Sequence, residues 1–118
     1  MQALLTKELE RTLPPAKSGA KVALVKYFTP WTHWTWYAAE ASAELADGSE
    51  VALSDPRACE REDVIFWGLV YGLEKEYGYW HLSELTEIHG PLGLRIERDL
   101  YFTPTPLEEC KDPTGLHS

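Results

Sequence analysis

The stretch Tyr27-Phe28-Thr29-Pro30-Trp31-Thr32-His33-Trp34-Thr35-Trp36-Tyr37 places six aromatic side chains in eleven residues and holds three of the chain's five tryptophans. Each Trp presents roughly 150–250 Å² of surface, about 4–6 kcal/mol at full burial, so this segment builds either a core or an adhesive surface. Thr29-Pro30 breaks an extended run, and alternation resumes after it, so the stretch reads as strand, turn, strand. The first strand covers 21–28, with Val22, Leu24 and Phe28 on one parity and Val25 and Tyr27 on the other. The second covers 33–41, with Trp34, Trp36 and Ala38 on one face and Thr35, Tyr37 and Ala39 on the other. A turn over 29–32 makes the pair an antiparallel hairpin. Trp36 and Tyr37 then belong to the sheet interior, and Trp31, His33 and Trp34 form a tip that can meet a partner.

Outward from the hairpin the pattern stays local. Leu5, Leu9 and Leu13 recur every four residues, Thr6 is an N-cap and Pro14-Pro15 a stop, which predicts a short amphipathic helix. Asp47-Gly48 within 43–51 is a tight-turn dipeptide and predicts a small ribbon extending the second strand. The charged stretch 54–63 reads as an exposed loop. Residues 64–72 are almost continuously apolar, as in a central strand, and Gly68 inside them marks a bulge or a close backbone approach. Residues 77–82 form another short strand, Ser83 caps a helical turn through Ile88, and 90–93 is a turn. Leu94, Ile96, Leu100 and Phe102 alternate with polar residues in a last amphipathic strand. Pro104 and Pro106 end the ordered part, which leaves 108–118 as a loose tail. With no βαβ rhythm, the expectation is one α+β domain over residues 1–107: a mainly antiparallel sheet of about five strands, an N-terminal helix and a short second helix.

The 118 residues carry a net charge of −8, unevenly spread. Residues 1–39 hold five basic against two acidic side chains, whereas 40–63 hold two against eight. Phosphate-backbone binding needs the opposite sign, so direct contact with nucleic acid is disfavoured. An acidic surface suits a basic protein partner, including a nucleic-acid-binding complex whose groove normally takes phosphate. The candidate partner-binding residues are Trp31, His33 and Trp34 with Glu44, Asp47, Glu50, Asp55, Glu60 and Glu62. Cys59 and Cys110 form no Cys-x-x-Cys pair, no run is long enough for a signal peptide or a membrane span, and a reduced cytoplasmic setting is expected.

Catalytic signals are weak. His33, His81, His89 and His117 show no metal-ligand spacing, and no metal or cofactor motif is present. The pairs Glu74/Glu76 and Glu97/Asp99 have the same-face spacing of a strand but fit a solvated surface. No nucleophile motif or phosphate-binding glycine loop occurs. The alternative to an interaction module is an enzyme or small-ligand binder with a pocket near Trp34, Trp80 and His81.

Several separated blocks carry a resemblance: Leu4-Leu5-Thr6-Lys7-Glu8-Leu9, Trp34-Thr35-Trp36-Tyr37, Phe66-Trp67-Gly68-Leu69-Val70, Gly78-Tyr79, Leu82-Ser83-Glu84-Leu85, Gly90-Pro91-Leu92-Gly93-Leu94 and Ile96-Glu97-Arg98-Asp99-Leu100-Tyr101-Phe102. Over about residues 4–107 the chain resembles the bacterial domain of unknown function 2958. That resemblance implies a small stand-alone protein, of a kind often encoded on plasmids, integrating elements or phages, and an accessory role such as countering host defence. It carries over no catalytic residue. The segment 40–63 is longer than in the shorter members.

Overall fold

The computed structural model describes residues 3–113. Its elements are α1 (Lys7–Thr12), β1 (Val22–Ala23), β2 (Val25–Phe28), β3 (Thr35–Glu44), β4 (Glu50–Ala52), β5 (Asp63–Tyr71), β6 (Lys75–His81), α2 (Leu82–Glu87), β7 (Glu97–Arg98) and β8 (Thr105–Pro106). The main sheet runs β6-β5-β3-β2-β7, with β4 added to the far end of β3, and every pairing is antiparallel. β1 and β8 form a separate two-stranded ribbon. The fold is thus α+β with two short helices and a six-stranded main sheet, close to the expected five strands.

β3 organises the sheet. Its ten residues pair with β5 along almost their whole length, while its other edge is shared between β2 at residues 35–38 and β4 at residues 42–44. Simple alternation would turn Glu40 to the same face as Trp36 and Ala38. A bulge at Ala39 shifts the register between Ala38↔Gly68 and Glu40↔Trp67, so Ala41 and Ala43 join Ala38 in the core and Glu40 turns away. Gly68 permits this: a Cβ there would lie 1.8 Å from the Tyr37 carbonyl oxygen. The glycine predicted to mark a close approach therefore does so.

Glu40 is 2% exposed. Its carboxylate accepts from Lys17 N (2.9 Å), Ser18 Oγ (2.9 Å) and Ala20 N (2.8 Å), and Ser42 Oγ accepts from Ala16 N (2.9 Å). A buried carboxylate is stable only when fully hydrogen-bonded, and here loop 16–20 is tied across the sheet to satisfy it. On the opposite face α1 and α2 cover the larger core of Val25, Tyr27, Trp36, Val64, Phe66, Trp80, Leu85 and Ile96. Ala23, Tyr37, Leu69, Tyr71, Leu107 and Cys110 pack the second core.

Five expectations are corrected. The strand over 21–28 is split at Leu24: β1 pairs with β8 while β2 pairs with β3 and β7, so the two belong to different sheets. The strand over 94–102 shrinks to β7, because β2 pairs only Tyr27↔Arg98 and Phe28↔Glu97 before the chain turns at Asp99; Leu100 is left 61% exposed. The loop 54–63 contains a 3-10 turn over Pro56–Glu60, capped by Asp55 and burying Ala58. His81, not Ser83, stands at the N-cap of α2. Order also continues past Pro104 and Pro106, since Pro106 pairs with Val22. Within the stretch read as a loose tail, Glu108 and Glu109 complete a 3-10 turn begun at Leu107, Cys110 is buried, and Tyr37 Oη donates to the Lys111 carbonyl at 2.7 Å. Residues 114–118 lie outside the described residues.

Candidate functional site

The sheet register decides which of the candidate residues meet. Glu44 is paired with Glu50 on one side and Asp63 on the other, so Glu50, Glu44 and Asp63 form one cross-strand row on one face. Adjacent strands lie about 4.8 Å apart, which brings three carboxylates together at the end of the sheet. Glu62, whose N–H reaches the Glu44 carbonyl at 2.8 Å, is exposed beside them. Asp63 itself is not solvated freely. It accepts from Val64 N at 2.8 Å, from Ser83 N at 3.1 Å and from the Ser83 hydroxyl. Burial works to raise its pKa, but these hydrogen bonds outweigh that and hold the carboxyl below the usual range.

His81 sits beside this row. Its Nε2 lies 3.2 Å from Glu44 Oε2 and its Nδ1 3.1 Å from Glu84 Oε1, so the ring joins the end of β3 to the first turn of α2. The Glu84 carboxylate also accepts from His81 N at 3.2 Å, capping the helix. Partial burial opposes charge on the ring, but hydrogen bonds to Glu44 and Glu84 and the nearby Asp63 win, and its pKa is raised. Even with a proton on the imidazole, Glu44, Glu84 and Asp63 leave the rim net negative. Ser83 directs its hydroxyl to Asp63 and not to His81, so these three do not make a nucleophile–base pair.

The remaining acidic candidates are placed differently. Asp47 lies at the tip of the β3–β4 turn, where it accepts from Ser49 N and Oγ. Asp55 caps the 3-10 turn and pairs with Arg57 at 3.2 Å, which takes it out of a free negative surface. Glu60 is exposed on that turn, and the neighbouring Arg61 pairs with Glu10 at 3.0 Å.

The aromatic candidates are at the other end. Trp31 lies on Gly90, where a Cβ would stand 2.4 Å from its ring, and Trp34 lies on Gly72, where the corresponding distance is 3.0 Å. Trp34 also meets the Trp36 ring at 6.4 Å between centroids. Both indoles are therefore half-buried packing groups and not a bare tip. His33 is exposed at a φ of 62° and borders a cleft of about 330 Å³ with Lys26, Phe28, Thr35 and Tyr101. Trp34 precedes β3 and Glu44 closes it, so the aromatic and acidic candidates are about 30 Å apart and do not make one face.

The pocket expected near Trp34, Trp80 and His81 is not assembled. Thr35 shares a row with Tyr71 and Lys75, whereas His81 shares a row with Ile65 and Ser42; about 20 Å separates the two rows. Trp80 points to the opposite face from His81 and stacks on Phe66 at 5.7 Å. Of the other titratable candidates, Glu74, Glu76 and Glu97 are exposed, Asp99 pairs with Lys26 at 3.6 Å, His89 is exposed, and His117 lies outside the described residues. Among the described residues no group of three His, Cys, Asp or Glu side chains is arranged to hold a metal ion. No described helix is long and apolar enough to cross a membrane.

Asp63 and Glu84 are the members of this cluster that sequence reasoning missed. Glu84 escaped because the cap was read at Ser83 and not at His81, three residues before it; the Asp63 pairing depends on a register across 19 residues of chain and left no local trace.

No curated protein and no solved structure matches the chain. The sequence model of the family described as Protein of unknown function (DUF2958) matches residues 1–109 of the 118, and the chain belongs to that family.

Proposed function

We propose that this protein is a non-enzymatic, acidic interaction module of the bacterial cytoplasm, carried by a mobile element or phage. Its partner is a basic, nucleic-acid-handling host defence complex that it antagonises. The observation that supports this reading above the others is the Glu50–Glu44–Asp63 row, flanked by exposed Glu62. Carboxylates at strand spacing on a rigid sheet end present a fixed array of negative charge to a groove lined with Lys and Arg. The docking residues are then Glu44, Glu50, Glu60 and Glu62 with Asp63 and Glu84, and the aromatic end is left out.

The test is co-purification with a candidate nuclease or effector complex across a salt series. Screening shortens from about 10 Å at 0.1 M to about 3 Å at 1 M, so complex formation should fall steeply over that interval. Glu50→Lys with Glu62→Lys, both at exposed positions, should abolish binding while leaving the melting temperature near that of the parent. Binding that ignores both salt and the double reversal overturns the proposal.

A further inference from the structure

β6 is the outermost strand of the main sheet and pairs with β5 over all seven of its residues without a bulge. Among the described residues its outer edge is unpaired and presents a regular series of main-chain donors and acceptors. Native sheets blunt such edges by shortness, proline, bulges or charge. The opposite edge is blunted in this way, since β7 has only two residues. β6 has no proline, and its centre is Tyr77-Gly78-Tyr79, with Tyr77 51% and Tyr79 50% exposed on one face. The Tyr77 ring is already stacked on Trp67 at 6.2 Å, so the pair is held ready on the sheet and not loose in solvent.

We propose that β6 pairs antiparallel with β6 of a second copy of this chain about a two-fold axis through Gly78, joining two main sheets into one. This interface is separate from the acidic rim's proposed role. The strand is self-complementary about that centre and no other: any shifted axis leaves part of the seven-residue ladder unpaired. In this register Tyr77 faces Tyr79 of the second copy, twice over, giving two cross-strand aromatic pairs. Lys75, whose amine lies 5.7 Å over the Tyr71 ring, comes opposite His81 of the second copy, the residue held between Glu44 and Glu84. Lys75 thus reaches each acidic rim, where the Glu44 and Glu84 carboxylates on either side of the imidazole offset its charge together with that of a protonated His81. Glu76 comes opposite Trp80, whose ring is buried and stacked on Phe66, so the carboxylate stays at the edge of the joined sheet.

Sedimentation equilibrium of the full chain at micromolar concentration tests the pairing. The expected mass is twice 13.4 kDa. Tyr77→Glu with Tyr79→Glu should give monomers, since each glutamate would face another, and Tyr77→Glu with Tyr79→Lys should restore the dimer because position 77 faces position 79. A monomeric parent, a dimer that survives the double glutamate change, or a glutamate–lysine variant that stays monomeric while folded by near-ultraviolet circular dichroism overturns the proposal. Hydrogen exchange on the unaltered chain covers the case of variants that do not fold. Amides of β6 should gain protection as protein concentration rises, and protection independent of concentration overturns the pairing.

Discussion

Gly68 and Glu40 are two halves of one local solution, one steric and one polar. At Gly68 a Cβ would meet the Tyr37 carbonyl at 1.8 Å, and that oxygen belongs to the sheet backbone and has nowhere to go. Gly68→Ala is therefore expected to destabilise the protein by about 3 kcal/mol, at the upper end of what overpacking costs, read as a lowered urea midpoint. Glu40→Ala removes the acceptor for Lys17 N, Ser18 Oγ and Ala20 N at once. Leaving these donors unsatisfied should cost about 3 kcal/mol, and the amides of residues 17–20 should lose exchange protection before the rest of the sheet does. Cys110 offers a contrast. Burial, with a smaller contribution from Glu109, pushes its thiol up to about 11, so alkylating reagents at neutral pH should modify exposed Cys59 and spare Cys110 in the folded protein.

At the scale of elements, His81 joins β3 to α2 through two carboxylates, and this junction should respond to pH. A histidine whose folded pKa is raised contributes stability that is fully present below its unfolded value and is lost as pH rises through the folded value. Thermal stability should therefore decline as pH climbs above the ordinary histidine range of about 6.5, and His81→Gln should flatten that part of the profile. A parent profile that stays level there would remove the charged junction from the account. Much of the element structure was legible in the sequence because it is locally encoded: Thr6 caps α1, Asp47-Gly48 turns β3 into β4, and the apolar run 64–72 is the sheet's interior strand. What escaped depends on partners distant in the chain. β1 parts from β2 at Leu24 because it pairs with β8 near the far end of the chain, and Leu100 loses its expected burial because the chain turns at Asp99 before it comes opposite Val25. Aromatic content also misled at the hairpin: Trp31 and Trp34 spend their surface on Gly90 and Gly72, glycines far along the chain whose role no spacing rule reveals.

The whole molecule measures 40 × 33 × 24 Å, and its two notable ends are set apart along β3. The half-buried tryptophans close one end, while the carboxylate rim with His81 marks the other, so any single partner of ordinary size engages one end at a time. The net charge of −8 makes the rim's long-range field reach beyond contact, and association rates with a basic partner should drop with ionic strength more than dissociation rates rise, as stopped-flow mixing can show. Between the two ends lies the extra residue of β3. Ala39 acts as a phase shift in the strand: before it, even-numbered side chains look toward the helices, and after it odd-numbered ones do. Deleting Ala39 would put the two halves back in step. Glu40 would then follow Ala38 directly and still face loop 16–20, and Glu44 would keep its place beside His81, because the ladder already pairs Ala38 with Gly68 and Glu40 with Trp67. Deleting Ala41 instead would turn Ser42 and Glu44 toward the helices, so loss of residue 39 should lower the melting temperature far less than loss of residue 41, although the two deletions differ only by where one alanine is removed.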